Sequence, residues 1–189
     1  MVGSGTLTGL FHELVRSAMT TQQIADSDHL EFYLVHLLEQ FTRPGKADLL
    51  DPPLALDYLE AGQLPSSRRY EKLKRVADTA LFVTGMFVDS LERSPVGPAY
   101  YAALGRNAYA WLSTDHANGA LGDMFGELAG RFRDGMRVLM EVSEQDLFHR
   151  EQDTLRVYRR WLATGGSREA ALLVRRGIIP SAPTTRHRH

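Results

Sequence analysis

The sequence predicts an all-α protein, a single-domain bundle of about seven or eight helices packed around a central antiparallel hairpin. Apolar residues recur at helical spacing along nearly the whole chain, and no segment shows convincing strict alternation. Between Val76 and Leu91 the only charged groups are Asp78 and Asp89, and between Pro95 and Thr114 the only one is Arg106. Two nearly uncharged helical stretches therefore meet across Ser94-Pro95-Val96-Gly97-Pro98. A helix apolar on most of its circumference must be covered on most sides.

The first helix is expected over Leu7 to Thr20, with Leu7, Leu10, Phe11, Leu14, Val15 and Ala18 on one stripe. The second covers Asp28 to Phe41, its core face being Leu30, Leu34, Leu37, Leu38 and Phe41. Pro44-Gly45 ends it, since proline cannot continue a helix and glycine tolerates the left-handed cap. Asp51-Pro52-Pro53 reads as an N-cap with proline in the first turn, opening a short helix to Ala61. The fourth helix follows Pro65-Ser66-Ser67 and runs to about Arg93, with Leu73, Val76, Ala77, Ala80, Leu81, Thr84, Val88 and Leu91 inward. Its first turns, from Arg68 to Arg75, are strongly basic. The fifth spans about Gly97 to Ser113, and the sixth follows Asn118-Gly119 and carries Leu121 through Val142. The capping-box-like spacing of Ser143-Glu144-Gln145-Asp146 starts a seventh helix after a bend, the alternative being one helix continuous with the sixth, and the helix stops at Gly165-Gly166. Ser167 caps a last one ending at Arg176-Gly177. The domain is thus expected over 1–179, with 180–189 as a loose basic tail.

The 189 residues contain no cysteine, which excludes disulfides, thiolate metal sites and a cysteine nucleophile. No stretch is apolar enough for a membrane span, so a soluble cytoplasmic protein is expected. The net charge of -1 is unevenly spread. From Arg150 to His189 nine arginines face Glu151, Asp153 and Glu169, which leaves the preceding 149 residues at a balance of -7. Such a split suits docking on an acidic body or an anionic partner.

If the fourth and fifth helices are antiparallel about Ser94-Pro95, Gly85 lies level with Gly105, a pairing that would allow close backbone approach. The same register favours an Arg106–Asp89 pair and leaves Asp78 in need of another donor, from the first or second helix. Asp78, Asp89, Tyr101, Arg106 and Tyr109 form the candidate ligand or structural polar site. Core packing is the plainer reading of Tyr100, Tyr101, Tyr109 and Trp111.

No Glu-x-x-His motif of the di-metal bundles occurs. The nearest spacings are His36 with Glu39 and Asp146 with His149, which stand as metal candidates. Glu13, Glu31, Glu127, Glu141 and Glu144 are possible additions, and His29 shares a face with His36. No nucleophile elbow, phosphate-cradling loop, dinucleotide fingerprint or kinase set is present, so no catalytic residue is assigned and no cofactor is expected. Arg156, Arg159, Arg160, Arg175 and Arg176, on two helices separated by Thr164-Gly165-Gly166, form a candidate partner surface that superficially suggests a helix-turn-helix.

Tyr70, Leu73, Ala77-Asp78, Leu81-Phe82, Gly85 and Phe87, followed by Tyr100-Tyr101, Leu104-Gly105-Arg106 and Ala108-Tyr109, resemble a pattern in uncharacterised bacterial helical proteins. That resemblance implies one coherent bacterial domain and assigns no activity. The expected function is a non-catalytic regulatory or protein-interaction module, with a protein partner or self-association. The alternatives are a bundle holding a small ligand or metal in its core, and weak nucleic-acid contact through the basic C-terminal helices.

Overall fold

The computed structural model describes residues 7–42, 50 and 53–144. The chain divides into two units, Met1–Ser143 and Glu144–His189, and every described residue but Glu144 belongs to the first. Among the described residues there are eight helices and no strand: α1 (Leu7–Thr21), α2 (Asp28–Thr42), α3 (Leu54–Ala61), α4 (Ser66–Met86), α5 (Val88–Glu92), α6 (Pro98–Asp115), α7 (Ala120–Gly130) and α8 (Phe132–Glu144). The all-α bundle expected from periodicity is the observed fold. The expected domain limits, 1–179 and 180–189, extend beyond the described residues.

Of the two uncharged stretches, α4 is covered as its composition demands, whereas α6 is not covered on most sides. Every residue of α4 from Val76 to Met86 is buried, so this helix is covered on all sides over three turns. Its widest contact is with α6, which in turn packs on α7, while α1 lies on α2 and α3 lies on α4. Only one stripe of α6 is buried, Gly105, Ala108, Tyr109 and Leu112, the i, i+3, i+4, i+7 set of a helix half in the core.

Helix ends follow local chemistry. α6 starts with Pro98 in its first turn after an extended Gly97, where the missing N–H costs nothing. α1 closes through a Schellman arrangement in which the Ile24 amide donates to the Met19 carbonyl at 2.9 Å and the Gln23 amide to Thr20 at 3.1 Å. Gln23 takes the left-handed position, φ 53°, that glycine usually fills.

Two helices expected to be continuous are broken. The fourth ends at Met86 instead of near Arg93, because Phe87 leaves helical geometry at φ -133°, ψ 31°; its ring packs edge-on against Phe82 at 5.7 Å. Val88 is consequently half-buried instead of inward. The sixth expected helix is interrupted at Arg131, φ -102°, ψ 20°. The Arg131 side chain offsets that break by donating to the Ala25 carbonyl at 2.7 Å and to Asp134 at 3.2 Å. Of its expected core residues, Leu121 is exposed.

The expected register is also corrected. A Cβ on Gly105 would meet Ala80 Cβ and the Phe132 ring at 2.7 Å, whereas one on Gly85 would meet Leu139 Cβ at 2.3 Å. Gly105 therefore faces Ala80, and Gly85 makes room for α8. Both glycines serve close approach, but to different neighbours. The short helix α5 stands between α4 and α6, so they are not the two arms of a simple turn.

Candidate functional site

The corrected register brings Asp78 to Tyr109. Asp78 is 1% exposed, within the fully covered part of α4. Its Oδ1 accepts from the Tyr33 hydroxyl of α2 at 2.5 Å and from the Tyr109 hydroxyl of α6 at 2.8 Å. Its Oδ2 accepts from the Lys74 ammonium one turn earlier on α4. The Lys74 nitrogen also lies 5.5 Å from the centre of the Tyr33 ring, within cation–π range. One carboxylate thus joins three helices, and both its oxygens are occupied.

The two phenols are held neutral. Burial is the main cause that raises the pKa of Tyr33 and of Tyr109 well above the ordinary value, and the Asp78 charge raises both further. The rings meet edge to face at 5.9 Å, and Tyr109 stacks on Phe125. Chemically the group is a hydrogen-bonded clamp: two hydroxyl donors that keep their protons and an acceptor with no lone oxygen.

Of the five residues expected to form the polar site, Asp78 and Tyr109 come together and the rest do not. Asp89 and Arg106 are both exposed, and no ion pair joins them among the described residues. Arg106 follows Gly105 and falls off the buried stripe, so its charge stays in water. Tyr101 is half-buried against Tyr100. Tyr33 and Lys74 complete the clamp instead. Lys74 is visible in the sequence as an i, i+4 partner of Asp78, and Tyr33 sits on the core stripe of α2.

A second carboxylate, Asp57 of α3, is also buried. Lys72 donates to its Oδ1 at 2.6 Å and Arg75 to its Oδ2, while Lys72 also reaches Glu60 at 2.7 Å. The hydrogen bond to Asp57, then that to Glu60, raises the Lys72 pKa. The basic opening of α4 is partnered in this way: Arg69 meets Asp115 at 3.3 Å and sits over Trp111.

Of the metal candidates, His36 and Glu39 fall within the described residues. His36 is exposed and lies 3.8 Å from Glu39 on its own helix, while His29 reaches Glu127 on α7 at 3.0 Å. Among the described residues no group of three or more histidine or acidic side chains could hold an ion. Asp146 and His149, and the arginines Arg156, Arg159, Arg160, Arg175 and Arg176, lie outside the described residues.

No family model, curated protein or solved structure matches the chain. The geometry therefore stands by itself. Among the described residues no helix is long and apolar enough to cross a membrane.

Proposed function

We propose that the chain is a non-catalytic helical module that engages another protein through the outer face of α3. The observation that carries this reading is the pair Leu56 and Leu59, 51% and 69% exposed and three residues apart on one helix. Residues at that spacing form one ridge. α3 itself is fixed, with Leu54 and Ala61 buried beneath it and Asp57 clamped to α4. A rigid ridge of large apolar side chains is a ready anchor for a partner. The polar clamp supports the same reading, because Asp78 already spends its oxygens on Tyr33, Tyr109 and Lys74 and fixes the scaffold.

The test is affinity capture at low salt alongside sedimentation of the purified chain, with wild type and Leu56→Glu/Leu59→Glu compared. The expected result is a specific protein, or a second copy, retained by the wild type and released by the variant at unchanged helicity. A wild-type chain that stays monomeric and retains nothing would refute the reading.

A further inference from the structure

The surroundings of the α3 ridge carry no net charge. Between Pro53 and Gln63 the helix exposes one charged side chain, Glu60, and Lys72 neutralises it at 2.7 Å. The buried Asp57 is held by Lys72 and Arg75, so two acidic groups balance two basic ones along the seam between α3 and α4. Arg68 and Glu71, both exposed in the first turns of α4, add one charge of each sign. Elsewhere among the described residues acidic side chains outnumber basic ones. A partner selected by opposite charge would be drawn to those other surfaces.

A neutral apolar face suits its own image. In an isologous pair residue i of one copy meets j of the other while j meets i. With two α3 helices antiparallel about an axis between positions 57 and 58, Leu56 of one copy meets Leu59 of the other, twice over. The two Glu60 side chains then stand roughly 7–8 Å apart along the helix axis, so like charges do not face one another. Apolar surface continues beside the ridge, where the half-buried Tyr58 and Trp111 rings meet edge to face at 5.5 Å. Gly62 has no side chain to cover Trp111, whose ring lies 3.5 Å from where a Cβ would stand. Aromatic and arginine groups of this kind, here Trp111 with Arg69 over its ring, are the usual anchors of a contact.

We infer, on the reading of the ridge as a protein anchor, that the partner it takes is a second copy of this chain, joined through a twofold antiparallel contact of α3. A helix of eight residues, about 12 Å long, cannot by itself supply the roughly 800 Å² per partner that a stable dimer buries. The pairing is therefore weak and reversible.

The test is sedimentation velocity of the full chain from about 1 to 500 μM. The expected result is a monomer–dimer equilibrium that Leu59→Glu weakens by roughly tenfold or more at unchanged helicity. The chain has no cysteine, so Leu56→Cys and Leu59→Cys each carry a single thiol. Under mild oxidation a mixture of the two should cross-link faster than either alone, since position 56 meets 59 and not itself. A chain that is monomeric throughout that range overturns the inference; if it still captures another protein through Leu56 and Leu59, the anchor stands and the second copy falls. A dimer undiminished by Leu59→Glu, or cross-linking fastest within one variant, also overturns it.

Discussion

Removing the Tyr109 hydroxyl isolates one arm of the Asp78 clamp. Tyr109→Phe keeps the ring that stacks on Phe125 and deletes a single bond, the 2.8 Å donation to Asp78. A hydrogen bond to a charged group contributes about 1.5–3 kcal/mol. Asp78 keeps Tyr33 on the same oxygen, so the acceptor is not orphaned and no larger penalty is expected. For a chain of 189 residues that loss corresponds to a fall of roughly 3–12 °C in Tm. Urea unfolding followed by circular dichroism would measure it, with Tyr101→Phe as the control expected within about 0.5 kcal/mol of wild type. Tyr33→Phe/Tyr109→Phe should lose more than the two single changes together, because Oδ1 then has no donor left. Equal stability of Tyr109→Phe and Tyr101→Phe would refute the clamp.

Alkaline pH provides a second test. Because both tyrosines have raised pKa values in the fold, their contribution is whole below the unfolded value of about 10 and is lost as pH climbs from there toward the folded values; titrated unfolding should show this decline, and Tyr33→Phe/Tyr109→Phe should flatten it. Glu127 acts at the other end of the scale, its pKa lowered first by the Ser27 hydroxyl and then by His29 and Arg131. Its contribution is present above the usual carboxylate value and lost as pH falls through the folded one, so Glu127→Gln should make acid unfolding shallower. Gly85→Ala places a methyl 2.3 Å from Leu139 Cβ and should cost about 1–3 kcal/mol net of the helix-propensity gain. Gly130→Ala, with open space around it, should be neutral or stabilising by thermal melt. Gln23→Gly should stabilise by up to about 1 kcal/mol, since glycine takes the left-handed position freely.

The legible part of the fold was what short-range periodicity controls. The limits of α1 and α2 agree with the apolar stripes to within a residue, and the run from Val76 to Met86 is buried as its lack of charge implies. The breaks at Phe87 and Arg131 carry no proline; Phe87 packs on Phe82 five residues back, and Arg131 is held by the Ala25 carbonyl, a contact outside any local pattern. The interhelical register depended on how many residues the connection used, and α5 changed that number. The expected Arg106–Asp89 pair fails for the same reason, since it depends on that register and both side chains lie exposed. Asp78 stood out because no exposed position was open to it on an all-round buried helix. Tyr33, by contrast, was obscured among the leucines of its own stripe.

Proton NMR of two hydroxyls tests most directly whether one buried carboxylate fastens α2, α4 and α6 through phenols that keep their protons. Slowly exchanging Tyr33 and Tyr109 hydroxyl resonances, with cross-relaxation to the Asp78 methylene and lost in Asp78→Ala, are the predicted result. Hydroxyls that exchange with water as fast as that of the exposed Tyr100 would contradict it.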